Sequence, residues 1–383
     1  MRAHPLLRWD PRRFAGDHPL LPVQPSVHLE ARAELRYRHP PAAEPPPPDP
    51  ALEPAPPWPG PALRPAVVPM GLHHLEPFLR SPLQGAARFA LGLRDEEEDP
   101  GDMEEEAAAM AGLHAVPMLR EAFWSARAGA GTPDQAYRRG RETFERAGLA
   151  PLGLLSGPER ERHRRILEAW SAQVPETVPV RFPRLGPAAL APRGLPAEDL
   201  GVLTVPVRLG PGLVVELRGA LAPQGDLGSG PGSVLLLTAD SATPKAAAHH
   251  LVKAWVAHLV LAARAGTALA PRGYLVAGRA PRNGVRSVAF DALDAAGALD
   301  LLARLLADLL DHPHDTLLPL EALLELQDPA DLPDWLEARA GREHGGYACL
   351  RGPVPNPGTF PPADAAAVAR RMELLDPFLR ALR

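Results

Sequence analysis

The order of segments predicts a mixed α/β protein in which a central mixed sheet is flanked by helices. Three observations carry this. Helical spacing recurs from residue 72 to residue 174. Alternating and wholly apolar runs, the marks of strands, appear after residue 200. One long helical segment, Pro244–Ala265, then separates two strand runs, as in a strand–helix–strand unit.

Residues 1–39 alternate short apolar and basic clusters and read as an extended arm, with a short helix near Leu29–Tyr37. Residues 40–70 read as a Pro-rich linker, since 14 of the 30 positions from 40 to 69 are Pro. Proline fixes φ and has no N–H for a ladder, so this stretch suits a polyproline-like spacer; a segment recognised by a partner is the alternative. Residues 71–383 read as the folded domain. Its first apolar signal, Leu72–Leu93, suits two short helices broken at Pro77 and Pro82. Nine of the twelve residues Asp95–Glu106 are acidic. Contiguous acids splay instead of converging on a cation, so the run reads as a solvated entry into the next helix. Helical patterns follow over Glu104–Arg127, Pro133–Ala147 and Pro158–Val174.

The period then changes. Leu203–Leu209 and Leu213–Leu221 alternate around Gly210-Pro211-Gly212 and predict a hairpin. Ser233–Thr238 predicts a buried strand. The Gly-rich stretch Gly225–Gly232 lacks the Lys-Ser/Thr ending of a phosphate loop and reads as a hairpin tip. After the helix Pro244–Ala265 come strands at Arg272–Gly278 and Val285–Phe290. An amphipathic helix follows over Asp291–Leu310, with Leu299, Leu302, Leu305, Leu306 and Leu309 on its apolar stripe. Residues 313–362 look loop-rich, and Ala363–Leu382 reads as a closing helix.

Composition narrows the function classes. A net charge of −5 and a pI near 6.3 are unlike a stand-alone nucleic-acid binder, so DNA contact requires a local basic patch or a partner. Cys349 is the only cysteine, which excludes an internal disulfide, a cysteine-based zinc site and an iron–sulfur cluster, and suits a reducing cytoplasm. Leu251–Ala263, the best apolar stretch, is short and interrupted by Lys253 and His258, so no membrane span is expected. Two arginine clusters stand out: Arg138, Arg139, Arg141 and Arg146, then Arg160, Arg162, Arg164 and Arg165. They suit either a phosphate-tracking face or ordinary helix faces paired with acids. His249 and His250 are adjacent and point about 100° apart on a helix. His312 and His314 flank a proline with no third ligand spaced to help. No metal site is therefore expected.

Six segments, in order, resemble the C-terminal region of the gamma subunit of exodeoxyribonuclease V, the RecC family. They are HPLLRWDPRRF (His4–Phe14), LEPFLRSPLQGAARFALGLR (Leu75–Arg94), the acidic run with GLHAVPMLREAF (Gly112–Phe123), VVELRGAL (Val214–Leu221), LVKAWVAHLVL (Leu251–Leu261), and the Leu-rich helix Leu299–Leu310 with Asp311–Leu326. The resemblance implies a restriction-endonuclease-like core, a degenerate PD-(D/E)XK nuclease-like domain, behind the extended Pro-rich N-terminal arm. The family's proteins are longer and begin with helicase-like domains, so the chain is expected to be a split gene product, a fragment or a reduced relative.

Active relatives of that fold set an Asp, then Asp/Glu-x-Lys, on adjacent strands. The carboxylates hold Mg²⁺ and the Lys steadies the charge on the reacting phosphate. Counting from Gly219, the first acid position falls on Ala222, and the Asp-x-Lys positions fall on Thr238 and Asp240. His114 stands where a helix His of an active enzyme would lie. The resemblance thus implies a non-catalytic module without a cofactor, docked on a RecB-like helicase/nuclease subunit and meeting DNA at a fork or duplex end. Arg138, Arg139, Arg141, Arg160, Arg164 and Arg165 are the candidate DNA contacts, and Trp255 and His258 are expected to pack their helix onto the sheet. Two alternatives stay open: a Mg²⁺-dependent DNA exonuclease with relocated ligands, and a pure protein-interaction scaffold.

Overall fold

The computed structural model describes residues 67–91, 109–186, 198–206, 213–228, 230, 232–239, 244–279, 284–312, 314, 316, 318–326, 329–337 and 363–382. The chain divides into two units, and every described residue belongs to the second, Arg64–Arg383. The arm, residues 40–66 of the linker, the acidic run and Asp240 lie outside the described residues.

In chain order the elements are β1 (Val67–Gly71), α1 (Leu72–Arg80), α2 (Pro82–Leu91), α3 (Gly112–Arg127), α4 (Pro133–Arg146) and α5 (Gly153–Gln173). Then come β2 (Val180–Arg181), β3 (Pro183–Leu185), β4 (Glu198–Asp199), β5 (Leu203–Pro206), β6 (Val214–Ala220), β7 (Gln224–Gly225) and β8 (Val234–Thr238). The chain continues with α6 (Pro244–Arg264), β9 (Arg272–Ala277), β10 (Val285–Ala289), α7 (Ala295–Asp311), α8 (Leu320–Glu325), α9 (Leu332–Glu337) and α10 (Ala365–Leu382).

The α/β class stands, but the strands form two five-stranded mixed sheets instead of one. The first runs β1-β6-β3-β4, with β5 also paired to β6; the second runs β10-β9-β8-β7-β2. The segment Val214–Gly225 explains the division. It belongs to the first sheet as far as Ala220 and to the second from Gln224. Gly219, at φ +131, sits at the bend, in a region a side chain disfavours. Val67–Gly71, expected to lie largely in the spacer, is an edge strand parallel to β6. An edge tolerates Pro69, whose missing N–H would break an inner ladder. α1 runs through Pro77 and stops only at Ser81, so the helix accepts the one hydrogen bond that the proline removes from its second half. α5 likewise starts before Pro158.

β8 lies at the centre of the second sheet. All five of its residues are buried, as expected for a strand covered on both faces. Leu235 and Leu237, with Tyr274 and Val276 of the parallel neighbour β9, join the apolar core built by α3, α4 and α5. Val234, Leu236 and Leu275 join the opposite core with α1, α6, α7 and α10. Each fully buried leucine is worth about 2–3 kcal/mol. α6 connects β8 to β9 and lies close on the sheet, because Gly273 offers no Cβ; one there would come 2.9 Å from the Ala254 side chain. Trp255 and His258 are both buried as expected, Trp255 against Phe378 and His258 stacked on Phe290. α10 is pinned by Arg371, which donates to the Phe78 carbonyl at 2.6 Å and lies 3.7 Å from Asp308. His314 meets the Asp308 carbonyl at 2.8 Å and the edge of Phe78, so it serves this packing.

Three histidines held away from water make the fold acid-sensitive. Burial brings His163, His250 and His258 down to about 4, against the opposing pull of Glu159 on His163 and of Asp291 on His258 and, at His250, with the charges of Arg120 and Arg80. His258 illustrates the cause: Nε2 meets the Asp291 carbonyl at 3.2 Å, while buried Nδ1 has no partner. Between roughly pH 4 and 6.5 the unfolded chain binds protons that the folded chain refuses, so stability falls as pH drops through that window. The thermal midpoint should hold steady above pH 7 and decline below 6.5. His258→Gln, which keeps a donor toward Asp291, should make that decline shallower by about a third, one titrating site of three; an unchanged slope would contradict the assignment.

Candidate functional site: a basic cleft beside the central strand

Helices α1, α3 and α6 converge on β8 and on the turn that follows β6, and enclose a cleft of about 170 Å³. α1 supplies Glu76, α3 supplies Arg120 and Trp124, and α6 supplies His250 and Lys253. Leu221, Ala222, Pro223 and the β8 leucines complete it. Each polar group is positioned by a specific bond. Arg120 donates through Nε to the Leu237 carbonyl at 2.9 Å. Lys253 Nζ stands 3.2 Å from Glu76. The two adjacent histidines diverge, as helix geometry requires: His250 lines the cleft, while His249 meets Glu321 at 2.6 Å. Burial works against the Glu321 carboxylate, and the His249 hydrogen bond and charge, with a backbone hydrogen bond, together outweigh it and hold its pKa below the usual range. Burial, then the charges of Arg120 and Arg80, keep His250 neutral at neutral pH. The cleft therefore offers fixed cations and a neutral imidazole, a set suited to an anion.

Of the positions that the nuclease resemblance singles out, Ala222 lines the cleft and Thr238 does not. Gln224 pairs with Val234 in an antiparallel ladder. Thr238 is buried, and its carbonyl accepts from Trp170 Nε1 at 3.0 Å and Gly278 N at 2.7 Å. Asp240 lies outside the described residues. His114 does not line the cleft; its half-buried ring lies 5.6 Å from Phe144 of α4. Among the described residues, no three His, Cys, Asp or Glu side chains gather closely enough to hold a metal ion.

The arginine clusters divide. Arg141 is 2% exposed and cannot reach DNA: it donates to Glu159 at 2.7 Å, Glu145 at 2.7 Å, the Tyr137 hydroxyl and the Pro151 carbonyl. It joins α4 to α5, and Glu159 in turn accepts from the Met110 N–H. The others are on the surface, engaged with neighbours. Arg138 pairs with Asp134, Arg160 with Glu145, Arg165 with Glu161, and Arg164 with Glu161 and Glu168. Arg139 donates to the Ala130 carbonyl. This arrangement matches helix faces paired with acids more closely than a bare phosphate track.

Sequence reasoning missed the cleft because Arg120 and Lys253 are single cations far apart in the chain. One signal was present: Lys253 is the only charged residue between Leu251 and Ala263. A lone charge on such an apolar helix needs a destination. No protein-family model matches the chain, and no curated protein matches it significantly. No helix among the described residues is long and apolar enough to cross a membrane.

The buried Arg141 pair and the surface pairs should differ sharply in energy. Glu159→Gln leaves part of the Arg141 charge uncompensated and should cost about 3 kcal/mol in denaturant unfolding. Arg164→Ala, in solvent, should cost less than about 1 kcal/mol. Equal costs would refute the division.

Proposed function

We propose that this chain is a non-catalytic, nuclease-type module of a RecBCD-type helicase–nuclease acting in double-strand-break repair, contributing DNA handling and docking on a RecB-like subunit. The observation that carries the reading is the exchange of chemistry in the cleft. Ala222, the position at which the resemblance implies a metal-holding carboxylate, lines the cleft, and Arg120 and Lys253 line the same space with one carboxylate, Glu76. The excess of positive charge favours a phosphate over a divalent cation. The parallel unit β8, α6 and β9, with β7 antiparallel to β8, supports a restriction-endonuclease-like core. The order of the six resembling segments supports the family assignment. On this reading DNA reaches the module through the cleft, with exposed Arg138, Arg139, Arg160, Arg164 and Arg165 as auxiliary contacts.

Purified chain should leave linear single- and double-stranded DNA intact in Mg²⁺, bind it with an affinity that falls steeply with salt, and co-purify with a RecB-like subunit. Two to four phosphate contacts correspond to a slope of roughly −2 to −4 in log affinity against log salt on duplex DNA. Mg²⁺-dependent cleavage abolished by Asp240→Ala would establish the relocated-ligand nuclease instead. Absence of DNA binding at low salt would leave the protein-interaction scaffold.

A further inference from the structure

Buried arginines normally sit against carboxylates, because an uncompensated guanidinium away from water is costly. The cleft departs from this. Arg120 is half-buried, and its only hydrogen bond among the described residues is the Nε bond to the Leu237 carbonyl. It makes no ion pair among the described residues. Burial, and then the charge of Arg80 on α1, pull Arg120 below its usual range. The carboxylate that lines the cleft, Glu76, is engaged by Lys253 at 3.2 Å. Arg120 and Lys253 thus face one carboxylate, leaving positive charge in excess. His250 adds an imidazole with no hydrogen-bond partner among the described residues.

From this cluster we infer that the cleft lined by Arg120, His250 and Lys253 is a binding site for a phosphate group, supplied either as inorganic phosphate or as the terminal phosphate of a nucleic-acid strand. The inference deepens the reading above by naming the ligand class, but it rests on the cleft alone and stands without any helicase–nuclease partner. The chemistry favours phosphate over a carboxylate. A guanidinium on α3, with an ammonium and an imidazole on α6, presents donors from two helices, matching a tetrahedral oxyanion better than a planar one. The size agrees. A cleft of about 170 Å³ holds the liquid volume of about five waters, which admits a phosphate and a small attached group but no base pair. The apolar side of Leu221, Pro223 and Leu235 adds no competing acceptor and strengthens the field of the cations.

The test uses the full chain and three variants. Calorimetric titration with inorganic phosphate, at ionic strength matched with chloride, should show saturable binding. Arg120→Gln should weaken it at least tenfold, and Lys253→Gln, at a partly exposed site, should do so several-fold without loss of folded circular dichroism. Glu76→Gln removes the carboxylate that occupies Lys253 and should tighten binding several-fold. Opposite signs for Glu76→Gln and Lys253→Gln separate a phosphate site from a structural ion pair, whose loss from either side would act alike. A second arm compares 5′-phosphorylated and 5′-hydroxyl single-stranded oligonucleotides. A tenfold preference for the phosphorylated form, erased by excess inorganic phosphate, would assign the strand terminus as the source; no preference alongside tight inorganic phosphate would assign the free ion. No saturable phosphate binding, or weakening by Glu76→Gln as large as by Lys253→Gln, would overturn the inference. Failure of the helicase–nuclease reading alone would leave the inorganic phosphate arm intact.

Discussion

The structure depends on a constraint imposed by β8. A five-residue strand with both faces buried supplies side chains to two cores at once, and every polar group of its backbone must find a partner inside the protein. β9 satisfies one edge through a parallel ladder, and β7 begins the other. At the end of the strand, side chains take over: Arg120 donates to the Leu237 carbonyl and Trp170 to the Thr238 carbonyl. The helices that cover β8 are therefore anchored by polar bonds at one end of the strand. The cleft forms there, because helices tied to that end cannot close over the bend between β6 and β7.

Charge compensation separates scaffold from site. Arg141 is held by two carboxylates, a hydroxyl and a carbonyl. Arg371 lies between Asp308, the Phe78 carbonyl and the Phe78 ring. In each case the guanidinium joins distant segments and its donors are used in doing so. Arg120 is the contrast. It lines a cavity and makes no ion pair among the described residues. A protein able to compensate Arg141 so fully has no packing reason to leave Arg120 without a carboxylate. Uncompensated charge of this kind clusters at functional sites more often than in scaffolds.

Much of the fold was legible because periodicity reports burial directly. The boundaries of α4, α6, β8 and β9 follow from apolar spacing, and α4 is marked further by the Thr132–Gln135 capping box. What escaped were the features that depend on pairing. β1 sits at the end of a proline-rich stretch and is a strand only because β6 offers it an edge. β2, β4 and β7 have two residues each, too short for any pattern. The division into two sheets depends on which strands pair, since Val214–Ala220 lies in one sheet and Gln224–Gly225 in the other. Register is a property of the ladder and cannot be counted along one strand.

On the proposed nuclease-type reading, the loss of acids would not by itself turn a metal site into an anion site, since a vacant apolar sheet would bind neither. An anion site needs cations, and here they come from helices, Arg120 from α3 and Lys253 from α6. An acid placed at position 222 would be set beside those cations and give an ion pair in place of a magnesium site, because a fixed guanidinium or ammonium neutralises a carboxylate without the cost of stripping a hydrated divalent ion. The inertness proposed for this module thus lies in its helices as much as in its sheet, and the same groups that exclude the metal are those that attract the phosphate.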